Sequence, residues 1–290
     1  MTSTSWRQSN VAFHTWATAE HDAVTHLLPV LARAEEEGLI GTWFFVRKAP
    51  CWRVRYLPGS DTAHRQMRQR LHALPGHAEP ITQVTDAVYE PEVRAFGGAD
   101  AMKSAHRLFH RDCRHLLDHL TGTQQSPRAD RRRELAILLC TALLRGAHLD
   151  WYEQGDVWAQ VAQHRHTTDQ VATPAPAAHM LTSGVRRLMS VDPTIPMRPG
   201  GPLAFAADWA GAYCAAGAEL AALTAAGQLH RGLRAILAHH VLFAFNRAGL
   251  PYATQAVLAE VATTVVFGAD PTTDPNVGSA ADHLPEGAPS

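Results

Sequence analysis

Residues 43–56 constrain this chain more than any other stretch. Positions 43–46 form an unbroken apolar run, Trp-Phe-Phe-Val. Positions 52–56 alternate, with Trp52, Val54 and Tyr56 on one side and Arg53 and Arg55 on the other. A period of two is the signature of a strand. Ala49-Pro50 stands between the runs, and proline is kept out of a central ladder, so it marks a turn between two strands. Two guanidiniums on one strand face repel each other unless solvent covers them or an anion sits between them. The residues leave both readings open: a solvated outer face, or an anion site whose planar forks match a carboxylate.

The neighbouring segments supply the rest of a sheet. Residues 6–13 alternate loosely and read as an edge strand. Val24, Leu27, Leu28, Leu31 and Ala34 recur at helical spacing between Glu20 and Glu37, with Thr18 as a capping residue and Gly38 as the stop. A polar helix over 62–74 ends at Pro75-Gly76, and 82–89 reads as another strand. The order is strand, helix, strand, strand, helix, strand, which is an α+β arrangement.

After Tyr89 the character changes. A loop with Gly97-Gly98 leads into a long helix over 99–120, whose buried stripe is Met102, Ala105, Phe109, Cys113, Leu116 and Leu120. Residues 126–133, with Arg131 to Arg133, read as a solvated basic linker. Helices are expected over 134–149, 156–164, 204–226, 229–247 and 254–267, with irregular connections at 173–176 and 193–202. No internal repeat is visible. The expectation is an α+β fold: a small mixed or antiparallel N-terminal sheet with helices, then a mainly helical C-terminal half. Together they form one compact unit over 1–268, followed by a disordered tail over 269–290, where Pro, Asp, Thr, Gly and Ser dominate.

Composition excludes several classes. The formal net charge is −1, so no global basic field invites nucleic acid, and no direct nucleic-acid contact is expected. The four cysteines show no CxxC spacing and read as thiols without a disulfide framework. Residues 1–10 lack a signal-peptide core, and the Ala- and Leu-rich segments are interrupted before membrane-spanning length, which places the chain in the cytoplasm without a membrane partner. There is no phosphate loop and no Gly-rich dinucleotide turn, so no cofactor is expected. His106, His110 and Cys113 share one helix edge at i, i+4, i+7, yet the stripe beside them is plain core and no second ligand cluster accompanies them.

Three blocks then stand in order: Trp-Phe-Phe-Val-Arg-Lys-Ala-Pro-Cys-Trp-Arg-Val-Arg-Tyr at 43–56; Tyr-Glu-Pro-Glu-Val-Arg-Ala-Phe-Gly-Gly at 89–98 with Ala-His-Arg-Leu-Phe-His-Arg-Asp at 105–112; and His-His-Val-Leu-Phe-Ala-Phe-Asn-Arg-Ala-Gly-Leu at 239–250. Together, from Trp6 to Gly268, the chain resembles the thiopeptide-type bacteriocin biosynthesis domain, the stand-alone counterpart of the C-terminal elimination domain of lantibiotic dehydratases. The resemblance implies work on a ribosomally made precursor peptide, leader and core. A separate subunit esterifies Ser or Thr with glutamate from glutamyl-tRNA, and the elimination domain expels that glutamate to leave a dehydroamino acid. One branch of the family instead joins two dehydroalanines into a pyridine-type ring. A non-catalytic peptide-binding subunit is the third reading.

The resemblance assigns roles residue by residue. Arg53 and Arg55 match the family's Arg-x-Arg strand and, with Arg94, suit a leaving carboxylate or an enolate oxygen. Arg47, Tyr89 and Glu92 accompany them at the substrate. Pro91 and Ala95 stand where many members carry arginines, and Leu242, Phe243, Ala244 and Phe245 stand where elimination-type members place a histidine. One of His239 and His240 is taken as the base, His240 by a slight preference, with His239, Asn246 and Arg247 as substrate contacts. Asn246-Arg247 equally reads as a pair satisfying helix-end carbonyls. An exposed strand edge and an aromatic groove are expected to hold the leader.

Overall fold

The structure is a computed structural model and describes residues 5–77, 80–124, 130–165, 175–192 and 194–268. The proposed tail and residues 126–129 of the expected linker lie outside the described residues. Four strands, β1 (Arg7–Phe13), β2 (Ile40–Lys48), β3 (Cys51–Pro58) and β4 (Ile81–Ala87), form one antiparallel sheet in the order β2-β3-β1-β4. Helix α1 (Ala19–Asp22) runs through a π-helical turn (Ala23–Leu27) into α2 (Leu28–Glu36), and α3 (Asp61–His77) joins β3 to β4. This is the split β-α-β-β-α-β arrangement.

The strand order corrects one expectation. β1 is not an edge strand: β3 pairs with it on one side and β4 on the other. Burial explains this, since Val11 and Phe13 are buried and their partners Trp52 and Ile81 are buried as well. The true edges are β2 and β4. β2 is covered: the Trp43 and Phe45 N–H groups donate to His110 Nδ1 (3.2 Å) and Cys113 Sγ (3.4 Å). Those two side chains thus satisfy edge donors that would otherwise be buried without a partner. β4 carries exposed Thr82, Gln83, Thr85 and Asp86, and no strand among the described residues pairs with its outer side.

The second half is helical: α4 (Ala99–Gln124), α5 (Arg132–Gly146), α6 (Trp151–Arg165), α7 (Ala175–Ser190), α8 (Thr194–Met197), α9 (Ala207–Ala225), α10 (Leu233–Ala248) and α11 (Tyr252–Phe267). α5 and α9 approach closely because Gly146 and Gly217 carry no side chain. A Cβ on Gly217 would stand 2.1 Å from the Leu143 carbonyl oxygen, and one on Gly146 would stand 2.3 Å from that of Cys214. The result is one compact unit in which the N-terminal sheet and the helices share a continuous core.

Other boundaries differ from the sequence expectation. α3 runs through Pro75, which falls in the helix's last turn and shifts the stop to His77. α6 begins five residues before the expected start, with buried Trp158 at its centre and Tyr152 exposed. α7 was not expected at all; its buried anchors, Val185 and Met189, are too few to make a pronounced apolar run. Thr18 makes no side-chain cap bond and instead donates its hydroxyl to Asp22 Oδ2 at 2.7 Å. Arg132 is not linker but the first residue of α5, half-buried and ion-paired with Glu20 and Asp130.

Candidate functional site

Antiparallel register decides which side chains share a face, because directly opposed residues point the same way. Arg55 stands between Gln8 and Phe44, and Arg53 between Asn10 and Val46. This is the face on which α4 and the segment between β4 and α4 pack. Arg55 is buried there. Its Nε donates to Gln8 Oε1 at 2.9 Å, and Gln8 Nε2 donates onward to Asn10 Oδ1 at 2.9 Å. The guanidinium lies 4.3 Å over the Tyr89 ring and 5.4 Å from that of Phe44. The Tyr89 hydroxyl sits 2.8 Å from His106 Nε2, and Trp6 packs against His106, Phe44 and Tyr89.

Two buried atoms in this cluster, Arg55 Nη1 and Glu92 Oε2, have no hydrogen-bond partner among the described residues. Burial pulls the Arg55 pKa down, opposed by nearby Tyr89 and Glu92, while Arg53 adds repulsion. Burial also raises the Tyr89 pKa and lowers that of His106 to about 4, so at neutral pH both are uncharged beside a fixed cation. Half-buried Arg53 and exposed Arg94 have no hydrogen-bond or ion-pair partner among the described residues. The arrangement offers positive charge for a developing oxyanion, a carboxylate with an open acceptor, and a phenol–imidazole pair for holding or passing a proton.

The remaining sequence-selected residues lie elsewhere. Arg47 opposes Trp52, so it projects from the other face of the sheet. There it donates to Glu20 and lies 4.6 Å over the Trp52 ring. Asn246 Oδ1 accepts from Gln255 Nε2 at 3.1 Å and from Arg165 Nη2 at 3.5 Å. Arg247 is fully buried and donates from Nε to Asp112 on α4, whose other oxygen accepts the Trp209 Nε1–H at 2.7 Å. His239 borders the core, edge-on to Phe96 and 6.3 Å from His164. His240 is 1% exposed, and Phe109 lies between it and the sheet-face cluster, 6.0 Å from His240 and 6.5 Å from His106. The geometry thus brings together Arg53, Arg55, Tyr89 and Glu92. It adds Gln8, whose alternation with Asn10 was the available signal, and His106, which the sequence had offered only as part of a ligand spacing. His106, His110 and Cys113 diverge, toward Tyr89, Trp43 and Phe45 respectively. A cavity of about 590 Å³ on a different side of α4, walled by His115, His119, Phe205 and Trp209, contains none of the selected residues.

His240 makes a pH prediction. Both ring nitrogens lack hydrogen-bond partners among the described residues, and burial lowers its pKa to about 3, with Arg247 and His239 acting the same way. The unfolded chain binds a proton near pH 6.5 and the folded chain does not, so stability is full above that pH and falls as pH drops toward the folded value. At pH 5 this one group removes about 2 kcal/mol. The expected result is that His240→Leu flattens urea-measured stability between pH 7 and 5 by about that amount. An unchanged slope would reject a neutral, buried imidazole.

Comparison with known proteins gives this architecture a family. The family model for the lantibiotic biosynthesis dehydratase C-terminus matches residues 6–266, and the chain belongs to that family. No curated protein sequence matches it. Among solved structures, the fold is similar to the pyridine synthase TbtD from thiomuracin biosynthesis (TM-score 0.66, 12% identity, 90% of this chain and 97% of that one). It is also similar to the tRNA-dependent lantibiotic dehydratase MibB from Microbispora sp. 107891 (TM-score 0.60, 16% identity) and to TsrL (TM-score 0.57, 16% identity, 92% of this chain and 99% of that one). The match covers 92% of this chain but only 28% of MibB. Among the described residues, no helix is long and apolar enough to cross a membrane.

Proposed function

We propose that this chain eliminates glutamate from glutamylated Ser or Thr side chains of a ribosomally made precursor peptide, leaving dehydroalanine or dehydrobutyrine. The observation that carries this reading is the placement of Arg53 and Arg55 on one sheet face, with Arg55 fixed against Tyr89 and Glu92 nearby. Glu92 takes the α-proton of the modified residue. The charge passes to that residue's carbonyl oxygen, which Arg55 stabilises. The Cβ–O bond breaks, and the glutamyl carboxylate leaves paired with Arg53. Tyr89 and His106 hold the Arg55 plane. A separate glutamylating subunit supplies the ester, and this chain needs neither tRNA nor a nucleotide.

A second reading is ring formation from two dehydroalanines. Pro91 and Ala95 at the loop positions count against standard elimination, and the similarity of fold to the pyridine synthase TbtD supports this alternative. Mass spectrometry of a pre-glutamylated precursor incubated with this protein alone separates the readings. Loss of the whole glutamate with formation of the alkene supports elimination. An unchanged ester rejects it, and turnover of a bis-dehydroalanine peptide then supports ring formation. Leader-dependent binding without either product supports a binding subunit.

A further inference from the structure

The opposite face of the sheet carries a second polar cavity, of about 410 Å³, whose lining includes Trp16, Glu20, Arg47, Trp52, Arg132 and Asn246. It forms where the end of the β2-β3 hairpin meets the starts of α1 and α5 and the turn from α10 to α11. Gly249 closes α10 with φ +73°, and a Cβ there would stand 2.5 Å from Arg47 Nη1, so glycine gives the guanidinium its room.

Charge in this cavity is arranged for an anion. The Arg47 side chain is only 9% exposed, and its Nε and Nη2 have no hydrogen-bond partner among the described residues. Arg132 donates from Nη1 to Glu20 and to the Ala248 carbonyl oxygen, while Asp130, outside the cavity lining, takes its remaining edge. Two longer helices begin at the wall: α5 at Arg132, whose backbone N–H donates to Asp130 Oδ1 at 3.1 Å, and α11 just after Pro251, where the N-cap residue makes no side-chain cap bond among the described residues. The N–H groups that open α11 and the positive dipole ends of both helices add to the two guanidiniums. Among the lining residues only Glu20 is acidic, and it lies between both arginines. Half-exposed Trp16, Trp52 and Leu250 provide apolar wall for the stem of a small acid.

We propose that this cavity binds a carboxylate on the Arg47–Arg132 pair, in competition with Glu20. The source is either an acidic side chain of the precursor peptide or free glutamate; only the link to these sources rests on the proposed function. Titration calorimetry on the full chain uses L-glutamate, a synthetic peptide carrying Glu, its Gln counterpart, and sulfate. The expected result is binding of a carboxylate probe that tightens about tenfold in Glu20→Gln and weakens about tenfold in Arg132→Gln. Arg47→Gln is informative only if its melting curve stays cooperative, so the Glu20 and Arg132 variants carry the test. Preference for the Glu peptide over free glutamate assigns the site to the precursor, and the reverse assigns it to the released amino acid. No heat from any probe with folded wild type and folded Glu20→Gln overturns the proposal. So does unchanged or weaker binding in Glu20→Gln, or an equal response to sulfate and to the carboxylates. Elimination activity is not the readout, so failure here leaves the sheet-face reaction standing.

Discussion

Replacing Arg55 with lysine is expected to lower kcat/KM for the modified peptide by about 100-fold or more, the scale seen when a preorganised donor to a developing oxyanion is lost. Lysine keeps the charge but not the planar fork. It cannot donate from an Nε to Gln8 while lying flat on Tyr89, as Arg55 does. The charge would also be compact and more strongly hydrated, in a position that water barely reaches. Arg53→Lys is the internal control. Arg53 is half-buried, has no hydrogen-bond or ion-pair partner among the described residues and needs only its charge to accompany a leaving carboxylate, so the expected loss is below about tenfold. Rates come from the appearance of alkene by mass spectrometry, with melting curves of both variants alongside. Equal losses at the two positions would mean that burial and the Tyr89 contact are irrelevant to the chemistry. Activity in Arg55→Lys within about threefold of wild type would remove Arg55 from the oxyanion role altogether.

The same two arginines show what a sequence can and cannot reveal. Their shared face was legible from alternation alone. Arg47 was legible too, had the turn been used: with Ala49-Pro50 as the loop, Lys48 opposes Cys51 and Arg47 opposes Trp52, so it belongs to the apolar face. His106 was not legible as part of the cluster. Its contact with Tyr89 depends on how α4 docks on the sheet, which no local period encodes. α10 hid its histidines for another reason. A helix apolar nearly all round gives no moment to separate neighbours, so nothing in the sequence says that His240 points inward while His239 borders the core. The strand order was hidden in the same way, because β1 is short and its polar Gln8 and Asn10 look like an edge until Arg55 is seen to need them.

Asp112→Ala is expected to destabilise the fold by about 3–5 kcal/mol, the cost of stranding a buried charge. Arg247 has no exposed surface, and its Nη1 and Nη2 already lack hydrogen-bond partners among the described residues, so Asp112 and the Phe109 face 4.4 Å away are what hold the cation. Asp112 keeps the Arg247 pKa above its ordinary value despite burial. The same substitution strands the Trp209 indole N–H, adding about 1–3 kcal/mol if no water reaches it. One residue therefore ties α4, α9 and α10 together, and the Asn-Arg sequence near the end of α10 is explained by this tie as far as Arg247 is concerned. A buried pair is not always worth its desolvation, so the double replacement Asp112→Leu with Arg247→Met is the sharper experiment. Urea denaturation should show it within about 1 kcal/mol of wild type, far better than either single variant. If catalysis uses only the sheet-face cluster, the refolded double variant also keeps its rate, because His106 lies nearly two turns before Asp112 on α4. Loss of peptide modification in a double variant of native stability would instead put Arg247 back at the substrate.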